Sequence, residues 1–218
     1  QGTNTVSRQL LRESSFDCEL FIRNDLAKIN ALGLDYAGIA GNPDVVAAQP
    51  RGIIYTTGIG GSAVGGTNGA APTYANLITI WRDVAIDSAD FGKLGFLING
   101  QTAGKLMLTA RLASTDSRMA IEKFPDADGM TDINGMRCGV SNQVPSTLVK
   151  GGSGAVCSAI VFGNFDDLVY GEFGAMELIT DPYSLAKQGL VEVTSFMMCD
   201  VMIRHPQSFA AMLDALSA

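Results

Sequence analysis

The stretch from Leu190 to Arg204 alternates between two faces without a break. Val191, Val193, Ser195, Met197, Cys199, Val201 and Ile203 fall on one face. Glu192, Thr194, Phe196, Met198, Asp200, Met202 and Arg204 fall on the other. Successive side chains of a β-strand point to opposite sides, so a period of two reads as a strand. At about 3.3 Å per residue an unbroken strand of this length would extend about 50 Å. Most strands run to about 5–6 residues, so a bend is expected near the middle, with the halves bridging two subdomains.

A second element is also long. Cys18, Ile22, Leu26, Ile29, Gly33 and Ala37 recur at helical spacing, while Asn24, Lys28 and Asp35 fall off that stripe. Ser14 is expected as the N-cap, with Asp17 three residues on. Asp17 and Glu19 then occupy the first turn, where the helix dipole favours negative charge. Gly41-Asn42-Pro43 stops the helix. Running over about residues 15–40 it would be about 37 Å long, against a mean helix of about 11–12 residues.

The remaining pattern is mixed. Thr73 is expected to cap a helix whose Leu77, Ile80, Trp81 and Val84 share a face, and Gln101 to Leu108 reads as another helix. Strands are expected at Phe96–Ile98, Met136–Val144, Ala159–Phe162 and Met176–Ile179, with a short helix from Phe165 to Tyr170. Arg111 to Met130 has no period and reads as a surface loop. Gly151 to Gly154 is a turn, and Ser184 to Gly189 is a loop between two strands. The fold class is α+β, with irregular topology and no internal repeat.

Composition narrows the function. The 218 residues are 47% hydrophobic and only 17% charged, and the net charge is −7. Average proteins carry about a quarter charged residues, so much surface here is buried or faces other subunits. Lys and Arg are scattered, whereas a chain that grips nucleic acid needs a positive face. Specific nucleic-acid binding and a polybasic membrane anchor are therefore not expected. No apolar run reaches the ~18 residues of a membrane helix. Cys18, Cys138, Cys157 and Cys199 have neither zinc nor redox spacing and read as reduced thiols.

The candidate chemical motifs fail on inspection. Gly58-Ile59-Gly60-Gly61-Ser62-Ala63 fits G-x-G-x-x-A. A dinucleotide site also needs a helix there, and Val64-Gly65-Gly66-Thr67-Asn68-Gly69 will not form one. A mobile loop with poor nucleotide affinity is expected. Asp126, Asp128 and Asp132 suggest a calcium loop, but the glycine and glutamate positions of an EF-hand are not met. His205 is the single histidine. It has no G-x-S-x-G elbow beside it and no second histidine for a zinc motif, so a structural role is expected. No catalytic, cofactor-binding or metal-binding residue is assigned, and no cofactor is expected.

Several segments, in order, resemble the major capsid proteins of tailed bacteriophages and prophages, the family with the Hong Kong 97 fold. Ser7-Arg8-Gln9-Leu10-Leu11, then Glu19, Ile22, Arg23, Asp25, Leu26 and Ala27, resembles the entry into that family's spine helix. Gln49-Pro50-Arg51-Gly52-Ile53 resembles the segment after the spine, and Tyr74-Ala75-Asn76-Leu77 the next helix start. Ser141-Asn142-Gln143-Val144-Pro145, Asp181-Pro182-Tyr183 and Arg204-His205-Pro206-Gln207-Ser208-Phe209 complete the match, which covers about residues 7 to 212.

The resemblance implies a shell-building subunit rather than an enzyme. It implies a peripheral domain over 1–70 and 175–200 with the spine helix and long strands, and an axial domain over 71–174 and 201–218. It also implies contacts between copies in capsomers that enclose double-stranded DNA. Scaffold, protease and portal proteins would be further partners. The subunit would reside in the virion, and in the bacterial cytoplasm before assembly. The tip at Ser184, Leu185, Ala186, Lys187, Gln188 and Gly189 would meet neighbours around a local three-fold. The family's N-terminal arm and extended loop would precede Gln1, so this stretch reads as a truncated core. By itself it is expected to stay a monomer or small oligomer, and crosslinking through a loop lysine does not carry over. A tail or decoration protein, or a small-molecule-binding or hydrolytic α+β domain, is the alternative.

Overall fold

The computed structural model describes residues 1–13, 18–62, 65–112, 118–122 and 128–217. The expected cap at Ser14, with Asp17, and Asp126 of the rejected calcium-loop pattern lie outside these. In chain order the elements are β1 (Gly2–Ser7), α1 (Arg8–Glu13), α2 (Cys18–Ala40), α3 (Tyr74–Ile86), β2 (Leu94–Ile98) and α4 (Gly100–Leu108). Then come β3 (Met130–Ile133), β4 (Met136–Val140), β5 (Leu148–Val149), β6 (Ala155–Asn164), β7 (Leu168–Glu172) and β8 (Glu177–Asp181). The chain ends with β9 (Leu190–Phe196), β10 (Cys199–Ile203) and β11 (Phe209–Leu216). The mixed α+β class holds.

The strands form three sheets. A six-stranded sheet has the order β11-β6-β2-β4-β3, with β5 on β6. A three-stranded sheet, β1-β9-β8, and a two-stranded ribbon, β10-β7, stand apart from it. All pairings are antiparallel except β2 with β4.

The large sheet is covered on both faces. On one, Leu77, Ile80 and Val84 of α3 pack with Phe96, Ile98, Ile160 and Phe162. On the other, Ile39 and Ala40 at the end of α2 meet Ile53, Val144, Val161 and Phe209. Strand β6 therefore reads as one apolar run, as a strand buried on both sides must. Thr73 caps α3 as expected, its hydroxyl accepting the Asn76 amide.

The long alternation from Leu190 to Arg204 is two strands rather than one. Met197 and Met198 interrupt it, and the halves join different sheets, β9 with β1 and β8, β10 with β7. The bend becomes a change of sheet because the halves find different partners, β1 and β8 for one and β7 for the other. Other expectations are corrected. Phe165 to Tyr170 is not a helix. Only Phe165–Asp167 makes a single 3-10 turn, and Leu168 opens β7 against β10. The Met136 strand stops at Val140, because Ser141 turns to donate its amide to the Ile98 carbonyl. The stretch from Arg111 to Met130 is not all surface, since Ala120 and Ile121 are buried in the core against α3 and the large sheet.

Helix α2 departs from its expected stripe at one turn. Ile29 is exposed, and Asn30 takes the buried place, donating to Ser195 Oγ at 2.9 Å and to the Met176 sulfur at 3.1 Å. A buried amide is tolerated because its donors are satisfied.

Candidate subunit interface

The family-like motifs occupy joints rather than a catalytic pocket. In Gln49-Pro50-Arg51-Gly52-Ile53, Gln49 Oε1 accepts the Asn42 amide at 3.2 Å, and Arg51 donates to both oxygens of Asp44 at 3.2 and 3.1 Å. Gly52 lies flat against the end of α2. A Cβ there would sit 2.6–2.7 Å from the Gly41 and Ala40 nitrogens and the Ile39 carbonyl carbon. Ile53 then plugs the core. In Arg204 to Phe209, Ser208 Oγ donates to the buried Asp167 at 2.5 Å, and Phe209 meets Phe165 edge to face at 5.6 Å. In Ser141 to Pro145, Asn99 Nδ2 donates to the Val144 carbonyl at 2.9 Å, and the Pro145 carbonyl accepts the Ala159 amide at 3.0 Å.

Asp181-Pro182-Tyr183 frames the hairpin tip between β8 and β9. Asp181 accepts from the amides of Tyr183 at 2.7 Å and Ser184 at 3.2 Å and from the Ser184 hydroxyl. The Ser184 hydrogen bond, then the two amides, holds the Asp181 carboxyl below its ordinary value. Ala186–Gln188 makes a 3-10 turn that ends at Gly189, whose φ of +69° is left-handed and suits glycine. Arg8 ties both sides, its side chain donating to the Pro182 carbonyl at 2.6 Å and its amide to the Gly189 carbonyl at 2.9 Å. Ser184, Ala186, Lys187 and Gln188 are exposed, with Leu185 and Gly189 partly so. Sequence reasoning missed Tyr183, 83% exposed beside them, and Arg8 as the clamp. The Asp-Pro-Tyr motif carried the signal for Tyr183. Nothing local marks Arg8, which lies far from the tip along the chain.

Helix α2 carries a second stripe. Ile29, Leu32 and Tyr36 recur three and four residues apart and are exposed, which on one helix face is an unusual place for apolar side chains. A cavity of about 330 Å³ opens between α2 and the three-stranded sheet, lined by Val6, Leu11, Ile22, Leu178 and Val193 among others.

The positions weighed for chemistry are not assembled into a site. His205 is exposed just before the turn Pro206–Ser208, its carbonyl accepting the Ser208 amide. Among the described residues no group of three His, Cys, Asp or Glu side chains is placed to hold a metal. No helix among them is long and apolar enough to cross a membrane. The glycine-rich stretch starts no helix in its described part and is tied to β11. Gly60 pairs with Ala210, Ala70 with Ala215, and the Gly65 amide donates to Asp214 Oδ2 at 3.0 Å. These contacts join the described part of the stretch, expected as a mobile loop, to β11. Burial, and then Asp132, pushes the Cys138 thiol up to about 12, so it is inert as a nucleophile.

The sequence matches the model of the phage capsid family over residues 2–213. The chain belongs to the phage capsid family. It is a structural subunit of a phage head, and its place is the virion shell. That membership sets aside the tail, decoration and small-molecule readings. No curated protein matches the chain. Among solved structures, the capsid of a native GTA particle aligns with a TM-score of 0.69 at 18% identity, covering 98% of this chain and 71% of its own. A Gordonia phage Cozz structure aligns at 0.68 with 16% identity, covering 97% and 68%. The holo-SrpI encapsulin complex from Synechococcus elongatus PCC 7942 aligns at 0.64 with 13% identity, covering 100% and 73%. At such identities these likenesses speak for the fold. Members of such a family assemble with copies of themselves into shells, and a structural role follows.

Proposed function

We propose that this subunit tiles an icosahedral head around double-stranded DNA and meets neighbouring copies through the tip from Ser184 to Gly189. The observation that carries the contact is the hydrogen-bonded tip, clamped by Arg8 and Asp181 and exposing Tyr183 and Lys187. A held tip loses little conformational entropy on docking. A stable interface buries about 1,200–2,000 Å², more than a six-residue tip supplies, so the α2 stripe of Ile29, Leu32 and Tyr36 contributes to it. A net charge of −7 suits a container that holds DNA without binding it tightly.

Two functional parts fit this reading. A peripheral part comprises 1–70 and 175–200 and an axial part 71–174 and 201–218, with the β7–β10 ribbon at their join. This is the layout of the Hong Kong 97 fold. Scaffold, protease and portal proteins would act on the subunit in the host cytoplasm before the finished virion.

Amine crosslinking of intact particles followed by mass spectrometry tests the contact. Lys187 is expected in links between copies, and Lys187→Glu is expected to lower particle yield while leaving the subunit folded. A Lys187 that reacts only within its own chain overturns the contact. Particles whose absorbance shows no nucleic acid overturn the DNA container and favour an encapsulin-like shell.

A further inference from the structure

One oxygen of a buried carboxylate lacks a donor, and a cavity opens beside that side chain. Asp214 of β11 is 2% exposed. Its Oδ2 accepts the Gly65 amide at 3.0 Å and faces Lys150 Nζ at 3.8 Å. Its Oδ1 has no hydrogen-bond partner among the described residues. Most buried polar atoms find one, and a buried charge left without its bonds is costly. Lys150 does not make good the deficit. At 3.8 Å its ammonium is beyond hydrogen-bonding reach, and its side chain is half exposed.

A β-bulge brings Asp214 to this place. Met212 pairs with Ile160 and Ala215 with Ser158, so Leu213 and Asp214 together stand opposite Ala159. Bulges re-aim side chains and are frequent beside functional sites. Gly65 comes close enough to donate because it has no Cβ, which would collide with the Ala70 nitrogen. The cavity measures about 480 Å³, and its lining includes Ile54, Tyr55, Leu148, Lys150, Leu213 and Asp214. Small-molecule sites have this size and this character, apolar walls around a few polar groups.

We propose that this cavity binds a small primary alkylammonium ion, its charged head on Asp214 and its chain along Ile54, Leu148 and Leu213. The carboxylate lacks both a donor for Oδ1 and a cation in hydrogen-bonding reach, and an ammonium group is both at once. Lys150, on a flexible and half-exposed stem, swings outward to admit it. A bare divalent metal fits poorly, because it takes about six or more oxygen ligands and Asp214 is the single acid among the lining residues. An anion is repelled by the same carboxylate. A lone water would need about two to four polar partners, which mostly apolar walls supply poorly. The site is built by one chain, so the proposal does not rest on which surfaces join copies in the shell.

The probe is n-butylammonium, titrated into the folded chain and followed by NMR, with butan-1-ol, butyrate and ammonium as controls. Butylammonium is expected to shift the Gly65 amide and the Leu148 and Leu213 methyl groups, with a dissociation constant on the order of a millimolar. Each control is expected to bind about tenfold more weakly or less, because it lacks the charge, the donor or the apolar chain. Asp214→Asn is expected to weaken butylammonium binding by about tenfold. Lys150→Met removes a competing cation from a half-exposed position, so it should fold and bind the amine about threefold more tightly. If Asp214→Asn fails to fold, Lys150→Met and the ranking of the four probes still decide. Butan-1-ol binding as tightly as butylammonium overturns the proposal and leaves an apolar slot. An unmoved Gly65 amide overturns it in favour of a bound water. Carbodiimide coupling of Asp214 to a lysine of another copy in intact particles also overturns it, making a second copy the occupant.

Discussion

The six-stranded sheet and the three-stranded sheet under α2 differ in how much apolar surface each seals. The first is packed on both faces, with Phe162, Phe209, Ile98, Ile160 and Met212 fully buried, and Phe96 lies 4.5 Å from Phe162 between ring centres. The second has a core of Val6, Ile22 and Leu26, with Leu178 and Val193 only partly covered. Its other face leaves Ile179 and Phe196 exposed, and its helix exposes Ile29, Leu32 and Tyr36. Burial contributes about 25 cal/mol per Å² of apolar surface, so the first region stabilises itself while the second relies on what it meets. A shell subunit gains from that division. One part folds firmly, and the other keeps free surface for partners.

The largest test strikes the sealed region. Phe162→Ala is expected to cost about 3–5 kcal/mol, read as a lower urea midpoint for the whole chain. Leu26→Ala comes next, at about 2–4 kcal/mol, and its effect should concentrate in faster amide exchange across α2, β1, β8 and β9. Should Leu26→Ala accelerate exchange equally in β2 and β6, the two regions unfold as one unit and the contrast fails.

Gly52→Ala probes the seam where α2 meets the large sheet. The Cβ meets backbone atoms of Ile39, Ala40 and Gly41, which cannot rotate aside. A loss of about 1–3 kcal/mol is expected, and a melting temperature equal to wild type would show that the seam yields. The smallest effect belongs to the tip. Asp181 has its folded pKa depressed, so its contribution to stability is present above the unfolded value, near 3.8, and fades as pH falls through the folded one. In Ser184→Ala, which removes the leading cause, the Asp181 carboxyl is expected to titrate closer to its ordinary value by NMR. An unchanged titration curve would mean that the two backbone amides suffice.

Much of the proposed contact was legible because its motifs are local. Asp181-Pro182-Tyr183 specifies its own turn through one carboxylate and neighbouring amides, and the loop after it was placed between two strands. The clamp from Arg8 was not legible, since it reaches a carbonyl on a distant strand. Residues Phe209 to Leu216 show no alternation, because Ala210 and Ala211 are buried on opposite faces of a covered sheet. Strand β1 was hidden for a different reason. Gly2 to Ser7 is short and polar, and pairing with β9 makes it a strand.

By itself the sequence determined the periodic elements, the helix stop at Gly41, the cap at Thr73 and the joint motifs. Each of these is set by neighbours within a few residues, where steric and hydrogen-bonding preferences act directly. Tertiary structure alone decided that the alternation from Leu190 to Arg204 divides between two sheets. It also decided that Asn30 rather than Ile29 faces inward on α2. Both outcomes depend on partners distant in sequence: β1, β8 and β7 for the strand, Ser195 and Met176 for the amide. Periodicity shows that a side chain has a face, and packing decides which surface that face meets.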